Sequence, residues 1–93
     1  MNINQQQIDL DQLEVSILWH SFTRDPDFHG EALSVSSENQ LGPFDVLPLH
    51  ANLITLIQKK IMVRTKEGKV VNYEFRNGVL EVNENKVKVF LGI

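Results

Sequence analysis

The sequence predicts one small all-β domain, a sandwich or barrel of short strands. Several segments alternate apolar and polar residues with a period of two, which is typical of strands with one face on a core. Turn-forming residues separate these segments at short intervals, as in sandwiches and barrels. A chain of 93 residues supports one core only, because two cores would leave neither half enough buried surface.

The first strand is expected to begin at Leu13, where apolar residues alternate with Glu14 and Ser16. The glutamine-rich segment before it has no hydrophobic period, so we expect residues 1–11 to be flexible and residues 12–93 to form the domain. Pro26 lies between two aspartates and predicts a turn or irregular crossing over residues 19–27. A second strand is expected over residues 28–35.

The middle of the chain is expected to be an ordered loop with brief edge pairing. Residues 36–52 contain Gly42, Pro43 and Pro48 among short apolar pairs, and the prolines disfavour a long central strand. Residues 51–59 are the only helix candidate. Their shortness and their β-branched side chains make a strand or a turn the better prediction.

Regular alternation returns in the last third of the sequence. Residues 61–65 and 70–75 are predicted to form a hairpin around the linker 66–69. The dipeptide Asn77-Gly78 tolerates positive φ and predicts a tight turn before a strand over residues 79–82. Another turn is expected at residues 83–85, followed by a last strand over residues 87–91.

Composition excludes several classes of function. The chain has no cysteine, which excludes disulfides, thiolate metal sites and thiol nucleophiles. A net charge of -3 lacks the basic excess that nucleic acid requires. His20, His29 and His50 do not have ligand spacing, and no nucleophile motif occurs. The sequence therefore predicts no enzyme, no metal site, no cofactor and no nucleic-acid partner.

Five apolar residues are expected on the outward faces of their strands, where an isolated sandwich should be polar. Single exposed apolar residues are common and local bulges change facing, so this pattern has an ordinary explanation. Clustered in space, the same residues would form a protein interface. They are Leu18, Met62, Val70, Val79 and Phe90.

Two motifs resemble a known family. The run Phe-Asp-Val-Leu-Pro-Leu-His-Ala-Asn-Leu-Ile-Thr at residues 44–55 resembles the signature of ATP synthase epsilon subunits. Arg-Asn-Gly-Val-Leu-Glu-Val at residues 76–82, followed by Asn-Lys-Val-Lys-Val at 85–89, is similar to that family's late hairpin and closing strand. The resemblance extends from Leu13 to Leu91 and is to the N-terminal β-sandwich domain, in a short form lacking the C-terminal helical hairpin.

The resemblance implies a flattened sandwich of about ten short, mostly antiparallel strands. It also implies a non-catalytic rotor subunit that links the gamma shaft to the c-ring during proton- or sodium-driven ATP synthesis. Such a subunit would lie on the cytoplasmic side of the inner membrane and contact the membrane only through its complex. The alternative from a different class is a free-standing β-sandwich protein-binding module.

The resemblance also implies the residues of each interface. The five outward apolar residues would face gamma. Asp45 and Leu49 stand where relatives commonly have glycine, so a positive φ there would cost of order 1 kcal/mol. The turn Pro48, Leu49 and His50 would buttress the c-ring-facing loop. That loop would consist of Asn39, Gln40, Leu41, Gly42, Pro43, Phe44 and Asp45.

Overall fold

A computed structural model of the chain describes residues 11–19, 26–49 and 51–93, and these residues form an all-β fold, as predicted. The expected flexible segment 1–11 lies outside the described residues except for Asp11, and so do His20 and His50. The described residues form six strands: β1 (Leu13–Trp19), β2 (Phe28–Asn39), β3 (Gly42–Val46), β4 (Leu53–Thr65), β5 (Val70–Asn83) and β6 (Lys86–Leu91).

The six strands form one closed sheet in the order β1-β6-β5-β4-β2-β3, with an additional β1–β2 pairing that completes the closure. All pairings are antiparallel except β1–β6. The first half of β2 pairs with β1 and its second half with β3. The described residues therefore form fewer and longer strands than the ten or so that the resemblance implied.

The predicted turn at Asn77-Gly78 is wrong, because β5 runs through it for 14 residues. The partner of Gln58 is Asn77 and that of Lys59 is Phe75, which leaves Arg76 as an extra residue on β5. This β-bulge bends the strand and switches its buried side. Gly78 is required there for space, since a Cβ would lie 2.8 Å from the Phe90 carbonyl oxygen.

The loop predicted over residues 36–52 is largely wrong, because β2 extends to Asn39 and pairs with β3. Gln40 and Leu41 form the turn of this hairpin. The brief edge pairing expected there is confirmed. The helix candidate at residues 51–59 lies mostly in β4, which confirms that a strand or turn was the better prediction.

The core includes the inward side chains that the period-two pattern selected in β1 and β6. Leu13, Val15 and Ile17 of β1 are fully buried, and Val89 and Leu91 of β6 pack with them. Half-buried aromatic residues pack at the margin of this core, where Trp19 meets Tyr73 edge-to-face with ring centroids 5.7 Å apart. The closed sheet thus leaves its outward faces available for other contacts.

Candidate functional site

An apolar row crosses the outward face of four neighbouring strands. Leu18 on β1 is opposite Phe90 on β6, Phe90 is opposite Val79 on β5, and Val79 is opposite Leu56 on β4. Directly paired residues point to the same face of a sheet. Leu56 is 68% exposed, and the other three side chains are half-buried. We call these four residues the apolar row.

The next row of residues on the same face contains both apolar and charged side chains. Ile54 is 73% exposed and lies opposite Glu81, which in turn lies opposite Lys88. Glu81 and Lys88 have opposite charges on directly paired positions, an arrangement that favours the sheet. The apolar row is therefore extended by Ile54 at the β4 side and bounded by a balanced charged pair on β5 and β6.

The structure brings together three of the five outward apolar residues predicted from the sequence. Leu18, Val79 and Phe90 belong to the apolar row, whereas Met62 lies opposite Asn72 and Val70 lies opposite Arg64, beyond the bulge. Sequence reasoning missed Ile54 and Leu56. Residues 53–57 read Leu-Ile-Thr-Leu-Ile, and a run with so little polar alternation does not reveal which side chains face outward.

The tip of the β2–β3 hairpin contains the residues predicted to face the c-ring. Leu41 is 97% exposed, and its N–H donates to the Asn39 Oδ1 atom over 2.9 Å. The Asn39 amide also donates to Thr55 Oγ1 over 3.2 Å. Gly42 has a φ of 118°, which suits glycine alone. Gln40 and Pro43 are exposed at the same tip.

The hairpin is anchored below its tip. Val46 is buried and Phe44 packs half-buried against the core. Asp45 is exposed, and its Oδ1 atom accepts a hydrogen bond from Ser36 Oγ over 2.6 Å. The strain considered for Asp45 does not occur, because this residue is in extended β3 and has no positive φ.

The Pro48–Leu49 turn is held by the connection between β5 and β6. Leu49 has a φ of 69°, the strained conformation considered for this position, and its N–H donates to Asn85 Oδ1 over 2.8 Å. The Glu84 N–H donates to Asn52 Oδ1 over 2.9 Å. These contacts join the turn to the β5–β6 connection, and a buttressing role toward the hairpin tip stays a prediction.

A second non-glycine residue with positive φ lies at the bulge. Lys59 has a φ of 76°, and its ammonium lies 3.1 Å from the Glu38 carboxylate. The hydrogen bond from Lys59 lowers the pKa of Glu38, with a smaller contribution from Gln58. Elsewhere, burial raises the pKa of Tyr73, assisted by the negative charge of Asp27.

The described residues contain no group of His, Asp or Glu side chains placed to hold a metal ion. His29 Nδ1 is 2.8 Å from Ser16 Oγ, and its Nε2 atom is 3.8 Å from the Glu14 carboxylate. This histidine thus participates in surface contacts between β1 and β2.

The described part of the chain offers no helix of the length and apolarity that a membrane crossing requires.

The fold and the apolar row define a class, a small closed β-sandwich with an apolar row on its outward face. The family follows from comparison with known proteins. Residues 12–91 match the family model described as ATP synthase, Delta/Epsilon chain, beta-sandwich domain. The chain belongs to this family.

Curated relatives agree with this assignment. The chain is 43% identical over 65 residues to the ATP synthase epsilon chain of Sulfurimonas denitrificans, covering 69% of this chain and 50% of the relative. It is 35% identical over 65 residues to the epsilon chain of Xanthomonas euvesicatoria, covering 69% of this chain and 46% of that one. The chain therefore spans about half the length of the curated relatives it matches.

The fold also matches chains of two mitochondrial ATP synthase structures. The Euglena gracilis structure of OSCP/F1/c-ring has a chain with TM-score 0.72 and 17% identity, matched over 87% of this chain and 51% of that chain. The Tetrahymena thermophila central stalk/c-ring structure gives TM-score 0.68 and 9% identity, over 87% of this chain and 63% of the other. At these identities the matches support the fold.

Proposed function

We propose that this chain is a non-catalytic rotor subunit of a rotary ATP synthase, joining the gamma shaft to the c-ring on the cytoplasmic side of the membrane. The observation on which this rests most is the apolar row on a domain of the epsilon family. Ion flux would turn the ring, and this domain would transmit torque to the shaft without chemistry of its own.

The apolar row is the surface that we assign to gamma. Four side chains on adjacent strands make a contiguous patch, and contiguous apolar patches on small domains are typical of protein interfaces. Within such patches a few large apolar residues contribute most of the binding energy. Met62 and Val70 lie outside the row, so we remove them from the proposed contact with gamma.

The tip of the β2–β3 hairpin is the surface that we assign to the c-ring. Its turn exposes Leu41 almost completely, and Asn39 and Gly42 fix the backbone on either side. A turn held in one shape loses little entropy on binding, which favours contact with another loop. The exposed Asp45 carboxylate adds a negative charge for a basic side chain on the ring.

Binding of the purified chain to its cognate gamma subunit tests the proposal. Leu56→Asp places a charge in the apolar row at an exposed position, so the fold should be retained while affinity falls by at least about tenfold, as for a central interface residue. Val70→Asp is the matched control, because Val70 is also an exposed strand residue but lies outside the row.

Isothermal titration calorimetry would give both affinities, and circular dichroism would confirm that each variant folds. Equal loss of affinity in both variants would contradict the assignment of the row. Failure of the parent chain to bind gamma and the ring at all would overturn the rotor role.

A further inference from the structure

The N-terminal half of β4 has an open edge. β4 pairs with β5 from Leu53 to Arg64, but it pairs with β2 only from Ile61 to Thr65. Residues 53–58 therefore have a strand neighbour on one side only among the described residues. We call residues 53–58 the β4 edge. At about 3.3 Å per residue it offers roughly 20 Å of unpaired backbone.

From Leu53 to Ile57 this edge lacks the features that usually prevent strand addition, whereas at its far end the Gln58 amide donates to the Glu38 carboxylate of β2 over 3.4 Å. Proteins protect open edges with proline, charged side chains or bulges. The other edge strand, β3, contains Pro43 and Asp45. The β4 edge instead has no charge and no proline, and it exposes Ile54 and Leu56 by 73% and 68%. The bulge and the first lysine come only at its far end, at Lys59.

The β4 edge is continuous with the apolar row. Leu56 belongs to both, so one partner that covers Val79 and Phe90 also reaches the open backbone of β4. We propose that the β4 edge accepts an extended strand from the shaft subunit, extending the sheet by one strand. The inference rests on the proposed function, because the occupant is the partner that covers the row.

The chemistry of the edge specifies that strand. Backbone N–H and C=O groups supply the pairing, while alternate side chains supply the selectivity. Ile54 and Leu56 are on the same outward face, and the segment is uncharged. The incoming strand should therefore be uncharged and present apolar side chains at alternate positions on this face.

Amide hydrogen exchange measured by NMR on the free chain and on its complex with cognate gamma tests the inference. Along an antiparallel strand with one neighbour, alternate residues form the hydrogen-bonded pairs. In the free chain every second amide of residues 53–58 should already exchange slowly. The intervening amides should exchange fast and become about tenfold or more slower in the complex.

Ile54→Lys supplies a second variant, because lysine on an edge disfavours strand addition and the four residues of the apolar row stay unchanged. The variant also removes the side chain that extends the row, so amide protection is the readout that separates strand addition from side-chain contact. The affinity of this variant for gamma should fall by about tenfold. Val70→Lys, the control, should bind as the parent does.

Three outcomes would overturn the inference. If gamma binds and shields Leu56 and Val79 but the intervening amides still exchange as in the free chain, strand addition is wrong and the proposed function stands. If the same amides are protected without gamma and the chain is then a dimer in solution, a second copy occupies the edge instead. If gamma does not bind at all, the proposed function fails and the inference with it.

Discussion

Individual residues in unfavourable backbone conformations are held by specific contacts in this domain. Leu49, Lys59 and Asn85 have φ of 69°, 76° and 66°, a region in which non-glycine residues are uncommon. Such strain persists when neighbouring contacts determine the conformation. Leu49 and Asn85 hold one another through the hydrogen bond between them, and Lys59 is joined to Glu38.

Asn85→Ala should lower the free energy of unfolding by about 1 to 3 kcal/mol, because Leu49 loses its acceptor and alanine tolerates positive φ less well than asparagine. Urea denaturation measures the change. Asn85→Gly separates the two causes, since glycine accepts the backbone but does not restore the hydrogen bond. Asn83→Ala, an exposed neighbour, should cost less than about 0.5 kcal/mol; an equal cost would contradict the role assigned to Asn85.

Lys59→Gly should reduce the loss of stability in acid. The pKa of Glu38 is lowered from its ordinary 4.5 by the Lys59 hydrogen bond. A carboxyl whose pKa is lower in the folded state stabilises it above pH 4.5, and this stabilisation disappears as the pH falls through the lower folded-state value. The variant loses that contribution, while glycine relieves the strain at φ 76°.

Urea titrations from about pH 6 to about pH 3 would measure the difference. Lys69→Ala is the control, because Lys69 is not among the groups that shift the pKa of Glu38 and the contact between Lys59 and Glu38 is retained. Identical pH dependence of the parent and Lys59→Gly would show that the ion pair has no part in acid stability.

At the scale of elements, the β2–β3 hairpin combines an anchored base with an exposed tip. Phe44→Ala removes a half-buried ring that packs on the core, so it should cost about 2 to 4 kcal/mol of stability, near the lower range for such truncations. Asp45→Lys leaves the apolar anchors in place and should alter stability by less than about 1 kcal/mol.

Binding to the isolated c-ring at low salt tests whether Asp45 contacts the ring. Asp45→Lys should weaken this binding up to about fivefold, as expected for an exposed ion pair, and added salt should reduce the difference between the variant and the parent. Unchanged affinity at low salt would show that Asp45 makes no electrostatic contact with the ring.

Elements with strict alternation could be predicted from the sequence, and those shaped by distant contacts could not. β1 and β6 bury every second residue, as their patterns indicated. Asn77-Gly78 has the local chemistry of a turn, but the close approach of Phe90 and Leu91 explains the glycine. Asn85 accepts a hydrogen bond from Leu49, 36 positions away, and no local pattern reports such a contact. The β4 edge was missed because openness depends on where β2 ends.

At the scale of the whole molecule, the closed sheet places the two proposed surfaces on one body. β1 pairs with both β6 and β2, so the strands that form the apolar row are linked through the closure to the strand that supports the hairpin. A continuous hydrogen-bonded sheet with one core is suited to transmitting force between partners. Its two surfaces should nevertheless bind independently, because no residue belongs to both.

Combining Leu56→Asp with Asp45→Lys tests this independence. β2 lies between β3 and β4 in the sheet order, so the two sites are at least two strand spacings, about 10 Å, apart. Effects at such separations usually add within about 0.5 kcal/mol. Leu56→Asp should therefore weaken binding to gamma alone and Asp45→Lys binding to the c-ring alone, and the double variant should show both losses unchanged. A loss of ring affinity in Leu56→Asp, with the fold intact by circular dichroism, would mean that one partner spans both surfaces.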